Sequence, residues 1–498
     1  MNVNPITRLD YPDPDVIRVE DTYYMVSTTM HFMPGCEVLQ SFDLVHWEHV
    51  TYVYETLDHT DAQQLKSGQN IYGQGMWAAS LRYHEGRFYI CFVANDTRKT
   101  YLYTSEKIDG PWKKQLIEGF YHDGSLLFDE DGRNYIVYGN DEIWITELNE
   151  DLTAPKKDGL HRLLVSDHKN PELGYEGSHI QKINGYYYIF LIHSLRDRWM
   201  RTEACFYSDS LEGEFTGGDV LCDDRGYCGQ GVAQGGIVDT PDGKWYAMLF
   251  QDFGAVGRIP ILLPVTWKDH FPFFGQNGHV PEEIEVHSTR PGYIYQPLVG
   301  SDDFCNGLLP RWQFNHDPDP RYYHLDALQG TYTITTREVC TELTQAVNTL
   351  TQRMSYPSCA AEVTVDASAL KEGDVAGLCV LQSCYAAVGI TKHHGKYEVL
   401  MLDKKEDGIL NMTEGTVVES HQMDFRLEAD FCNMKDEARC YYRVNKGDWL
   451  PIGTVHKLYF KLDHFTGCRF GLFCYAAEET GGSACFRDFK YYDVDEIS

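Results

Sequence analysis

Short apolar segments, punctuated by glycine and proline, run through the first half of the chain and favour strands and turns over helices. Sliding the sequence along itself exposes a repeat. Five segments share one pattern: DPDVIRVEDTYYMVS from Asp13, WAASLRYHEGRFYICF from Trp77, DGSLLFDEDGRNYIVYG from Asp123, EGSHIQKINGYYYIFL from Glu176 and QGGIVDTPDGKWYAMLF from Gln234. Each opens on a distinctive residue and continues into a short apolar strand, such as Val16–Ile17 or Leu126–Leu127–Phe128. Eight positions after the start comes an acid or Asn (Asp21, Glu85, Asp131, Asn184, Asp242), followed by Thr22 or a glycine. Glu-Gly, Asp-Gly and Asn-Gly predict tight hairpin turns, because these residues tolerate positive φ. An aromatic-rich strand then returns, as in Phe88–Tyr89 and Tyr186–Tyr187–Tyr188.

The starts lie 64, 46, 53 and 58 residues apart. One hairpin per period, with further strands such as ICFVAN and LYTSEK between, fits a propeller blade. The pattern predicts an all-β fold: a five-bladed β-propeller over residues 1–300, its last blade ending near Phe274. STRPGYIYQPLVGSDDF reads as a connector. Beyond it GTYTITTR, CAAEVTVDA, AGLCVLQSCYAAVGI, KYEVLMLDK, YFKLDHF and CRFGLFCYA predict a β-sandwich of jelly-roll or concanavalin-like type over 301–498.

In a propeller the innermost strand of each blade starts near the axis, so the five repeat starts should ring one funnel. Asp13, Asp123 and Glu176 thereby converge although they are far apart in sequence. Carboxylates at one mouth shift each other's pKa values, leaving one protonated as a general acid and another ionised as a base. Glycoside hydrolysis needs this division of labour. Trp77 offers a flat face for a sugar ring. Singly, Asp in Pro-Asp-Pro-Asp or in Asp-Gly is a turn residue. Three acids also suit a hard cation such as calcium, and a non-catalytic carbohydrate-binding propeller would share the funnel.

Composition narrows the classes. The formal charge is −31, from 74 acids against 43 bases, which disfavours nucleic acid and anionic lipid and suits a neutral oligosaccharide. No segment approaches the roughly 18 unbroken apolar residues of a membrane span. MNVNPITRLDYPDPD lacks the apolar core of a signal peptide, so a cytoplasmic location is expected. The 15 cysteines form no CxxC pair and read as free thiols.

NPITRLDYPDPDVIRVEDTYYMVSTT resembles glycoside hydrolase family 43, the five-bladed β-xylosidases and α-L-arabinofuranosidases. So do MWAASLRYHEGRFYI, HDGSLLFDEDGRNYIVYG, YEGSHIQKINGYYYIF and GRIPILLPVTWKD, and the resemblance extends over the whole chain. It implies an exo-acting, inverting hydrolase that releases a terminal pentose, with no required cofactor. It further implies Asp13 as general base, Asp123 as the residue that orients the acid, Glu176 as general acid and Arg258 as a substrate contact. An inverting pair of carboxyls stands roughly 6.5–9.5 Å apart.

The stretch STTMHFMPG resembles a pocket wall, which makes Met30, Phe32 and Met33 candidates, although relatives carry Phe-Glu-Trp-Phe there. HFTGCRFG resembles a sandwich loop that closes over the site with an aromatic, here Phe465. Many relatives carry a His on the axis of the fifth blade where this chain has Gln234; its carbonyl oxygen could ligate calcium there. The Arg-Asp-Pro and Glu-Cys motifs of the configuration-retaining, invertase-type propellers do not occur in the right places. Oligomeric state is left open, since long members of the family often assemble into homo-oligomers.

Overall fold

A computed structural model describes residues 2–413 and 415–493. Five four-stranded antiparallel sheets follow one another along residues 15–274. Their innermost strands are Asp15–Val19, Met76–His84, Ser125–Phe128, Glu176–Ile183 and Ala233–Asp239, one for each repeat read from the sequence. Each pairs with the aromatic-rich strand behind it, as where Tyr83 faces Phe88 and Ile183 faces Tyr186. The ring closes without a shared blade. Asn2–Val3 pairs with Glu283–Ile284, and the Asn4 side chain both donates to Leu262 O and accepts from Leu262 N.

The turns divide into two kinds. Glu85-Gly86 and Asn184-Gly185 are two-residue turns with positive φ at both positions (48° and 78°, 50° and 84°), as the sequence predicted. Blades III and V use longer loops, Asp129–Arg133 and Thr240–Lys244, in which only the glycine is left-handed. In blade I the turn is Glu20-Asp21, with Glu20 at φ 56°.

The sandwich packs a nine-stranded sheet on a seven-stranded one. Leu378, Val388, Met401, Phe425, Leu427 and Phe486 are fully buried in its core. YFKLDHF is not a strand: residues 458–468 form a loop between Leu450–Lys457 and Arg469–Ala476 that turns toward the propeller. The larger sheet also borrows a strand. Phe32–Met33, from the propeller, pairs with Gln313–Asn315.

Polar anchors lock the two domains at this seam. Arg353 of the sandwich donates to Glu37 at 2.8 Å and to Asp10 O at 2.9 Å, and its guanidinium lies 4.0 Å from the Tyr11 ring centre. The Asp10 carboxylate accepts from the backbone N–H of Arg258 in blade V and of Gly467 in the sandwich loop, both at 2.8 Å. Such a buried, fully partnered carboxylate fixes both segments in one register.

Candidate active site

Left-handed backbone recurs at the funnel mouth. Asp13, Asp123 and Gln234 have φ of 53°, 47° and 67°, and in blades II and IV Ala78 and Gly177 take that role at 29° and 65°. The ladders of blades II, IV and V slip register at these points. A bulge there turns the entry residue off the sheet and toward the axis. Gly177 needs its missing Cβ, since one would stand 2.5 Å from Gln234 Cδ.

The five starts interlock. Thr28 Oγ1 donates to Asp13 Oδ2 at 2.6 Å and accepts the Ala78 N–H at 2.8 Å, joining blades I and II. Arg258 Nη1 donates to Asp13 Oδ1 at 3.1 Å. Asp123 Oδ2 accepts the Gly177 N–H at 3.1 Å, and Asn140 Nδ2 donates to Glu176 Oε2 at 2.7 Å. His122 Nε2 stands 3.5 Å from Glu176 Oε2 and 3.7 Å from Asp123 Oδ2. Asp13 and Asp123 are buried, and Glu176 is half-buried.

Environment separates these groups. Burial raises the Asp123 carboxyl to about 6, with Glu176 and Asp13 adding repulsion and His122 and the Gly177 N–H opposing the rise. Asp123, helped by Glu176 and Asp13, lifts the His122 imidazole to about 9 against the effect of burial, so it carries a proton at neutral pH. A second arginine stands close by. Arg201, ion-paired with Asp252, is lowered to about 10 by burial and by Arg258, while the charges of Glu176 and Asp13 hold it up.

Aromatic rings alternate with these cations around the funnel. Trp77 packs at 5.5 Å from Phe465, whose ring lies 4.2 Å from the Arg258 guanidinium. Phe250 stands between Arg258 at 5.4 Å and Arg201 at 5.5 Å. Phe465 itself takes φ 56° and is held by its N–H to Lys461 O, so a sandwich residue forms part of the funnel wall.

Phe32 requires correction. It does not line the funnel: its ring lies 3.5 Å from the Arg469 guanidinium and packs with Leu343, Cys379 and Phe473 of the sandwich. Strand alternation explains this, since pairing with Gln313–Asn315 sends Phe32 to the sandwich and Met33 into the core of blades I and II. Met30 is buried and exchanges both backbone hydrogen bonds with Met76, directly before Trp77.

Gln234 sits over Gly177, with its backbone N–H bound to Glu203. Among the described residues, His122, Asp123 and Glu176 also offer ligand atoms within 4.8 Å of one another. This set fits calcium poorly. It offers two carboxylates and an imidazole nitrogen, whereas calcium takes about six to eight oxygen ligands.

His122, Thr28, Asn140 and Arg201 escaped the sequence reading. Only His122 left a signal, as the residue directly before a repeat start. The others come from second and third strands and their connections, which share no offset with the starts.

One layer deeper the axis is closed. Asp15 accepts from Leu81 N and Arg82 Nη1 at 2.7 and 2.8 Å and faces His179 Nδ1 at 3.1 Å. Arg82 continues to Ser125 Oγ at 2.6 Å. Beyond it a separate cavity of about 480 Å³ opens at the opposite mouth, bordered by Arg18, Tyr83, Lys182 and Trp245.

The arrangement gathers three carboxylates, an imidazole and two arginines into one aromatic-walled funnel, a setting for proton transfer. Known proteins match this frame. The chain is 26% identical to a β-xylosidase from Formosa agariphila over 99% of its own length and 89% of the relative's. A solved bifunctional GH43-CE protein from Bacteroides eggerthii superposes with a TM-score of 0.93 at 42% identity, covering all of this chain, which spans 64% of that protein. A solved, engineered GH43 glycoside hydrolase with endo-xylanase and exo-arabinofuranosidase activity gives 0.87 at 27% identity, over 99% of both chains. The family model for a β-xylosidase C-terminal concanavalin A-like domain matches residues 301–492. With the family model for glycosyl hydrolases family 43 matching residues 3–272, the chain is a glycosidase and belongs to that family.

Proposed function

We propose that the protein is an exo-acting, inverting pentosidase that removes terminal β-D-xylose or α-L-arabinofuranose from short hemicellulose oligosaccharides. The observation that carries this reading is the convergence of three carboxylates from blades I, III and IV in unequal surroundings. In this reading Glu176 protonates the glycosidic oxygen. Asp13, held by Thr28 and Arg258, draws a proton from water on the opposite face. Asp123 and the imidazolium of His122 orient Glu176. Trp77 is half-buried at the funnel mouth, where its indole face suits a sugar ring. Phe465 closes one side of the funnel, which favours a chain end over a mid-chain segment. The names borne by the Formosa relative and by the engineered structure support both sugars.

The roles of the acids involve no cofactor. The reading also keeps the enzyme in the cytoplasm, where its free cysteines stay reduced, a placement that cell fractionation checks.

Parallel turnover of nitrophenyl β-D-xyloside and α-L-arabinofuranoside, with proton NMR of the first product formed, tests the core of the reading. Hydrolysis with inverted anomeric configuration is expected. Retention would require a nucleophilic carboxylate roughly 5 Å from the acid and would sink the mechanism, and inactivity on both pentosides would sink the substrate class.

A further inference from the structure

An exo-hydrolase must hold two rings, the terminal sugar inside the funnel and the departing one outside it. The departing ring lies beside the general acid, because that acid protonates the oxygen joining the two. If Glu176 is the acid, the second ring leaves over the rim of blade IV.

Trp199, an exposed large aromatic, stands on that rim. Glu176 pairs with Ile192, and two residues on Ser194 pairs with Arg201. The loop between Ser194 and Arg201 therefore lies at the funnel end of blade IV, and it carries Trp199. One face of the indole is covered by the Arg201 guanidinium at 5.1 Å, yet the residue is 43% exposed. The covered face is rigidly backed, since Arg201 is ion-paired with Asp252 and packs on Phe250. Trp199 thus extends the arc of rings and cations outward from the acid cluster. The bond-breaking groups make no use of it.

Resting on the pentosidase reading, the geometry points to Trp199 as the platform for the leaving group, its open face stacking on the first sugar ring beyond the scissile bond. A pyranose ring presents axial C–H groups that pack well on an indole, and the guanidinium behind it holds that ring in place. Trp199 therefore selects among leaving groups and leaves the terminal sugar's recognition to the funnel.

The test compares two substrates on the full chain. Methyl β-D-xyloside has no ring beyond the scissile bond, whereas xylobiose has one. Trp199→Ala should lower kcat/KM for xylobiose about tenfold while leaving methyl β-D-xyloside within about twofold of the parent. Trp199→Phe, which keeps a flat ring, should restore most of the xylobiose rate. Equal losses on both substrates would show a structural role and overturn the inference. So would unchanged kinetics on both in a parent that cleaves both. If the parent cleaves neither xyloside, the same comparison is run on methyl α-L-arabinofuranoside and an α-L-arabinofuranosyl disaccharide, where equal losses or unchanged kinetics overturn the inference. A parent inactive on all four overturns the pentosidase reading, and this inference with it.

Discussion

The two mouths of the propeller are built from opposite ends of the same five inner strands, yet they handle charge in opposite ways. At the far mouth each charge has a fixed opposite. Arg18 pairs with Asp239, Lys182 with Asp129 at 2.6 Å and with Glu130 at 3.1 Å, and Arg82 with Asp15. At the catalytic mouth Asp123 and Glu176 share the imidazolium of His122, Asp13 has one direct arginine contact, and Asp123, His122 and Arg201 are all pushed well away from their ordinary ranges. Left-handed entry residues mark the same end. Fold alone dictates neither pattern. Crowding acids where the backbone is already strained costs stability and creates reactivity, whereas paired charges only hold blades together.

Removing the proposed acid or base should break this contrast most severely. Asp13→Asn and Glu176→Gln should each lower turnover about 10³- to 10⁴-fold while the melting temperature holds or rises. Substrates with good leaving groups should partly rescue Glu176→Gln but not Asp13→Asn. Steady-state kinetics on an activated and an unactivated pentoside checks both, and comparable activity in either variant would remove that residue from the chemistry.

His122 sharpens the comparison through pH. His122→Asn should cost about 10²-fold in turnover at neutral pH, since it deletes the cation between two carboxylates. The stability effect has a defined sign. The folded-state pKa of about 9 lies above the ordinary 6.5, so the stabilisation is fully present below 6.5 and is lost as pH rises through about 9. Parent and variant melting curves should therefore differ most near pH 6.5, since Asp123 protonates below about 6 and gives up its attraction, and the gap should close as pH rises through about 9. A constant gap across that range would mean that the imidazole is neutral.

Phe465→Ala asks whether the sandwich belongs to the catalytic mouth. A loss of about tenfold in kcat/KM on short substrates is expected, with little change in melting, because the ring covers Arg258 and Trp77 without filling a core. A lower melting temperature with unchanged kinetics would make it a prop. The smallest effect belongs to the far mouth. Arg18→Ala should remove about 1 kcal/mol or less of stability, and turnover should not change. A clear loss of activity there would show that the two ends of the axis are coupled.

Much of this was written in local pattern. Five equal offsets disclosed the blades, and the same offsets carried Asp13, Trp77, Asp123, Glu176 and Gln234 to one funnel, because a closed ring gives equivalent positions equivalent places. What escaped depends on contacts between distant segments. Phe32 looked like a wall residue until its strand partner, some 280 positions later, claimed its side chain. YFKLDHF alternates like a strand, yet its backbone is bent back by Phe465 N–H to Lys461 O and its end is tied down by Gly467 N–H to Asp10. Arg201 opens a third strand, where no repeat offset points inward.

Phe32–Met33 also bears on heredity. A sandwich transplanted as a cassette onto another enzyme would arrive with the backbone of Gln313–Asn315 bare, a raw sheet edge ready to recruit strangers. The propeller left behind would expose Phe32 to water. Exchange of the second domain between lineages is thereby penalised at the level of main-chain hydrogen bonds, so the two halves should descend together, accumulating change as one unit of inheritance.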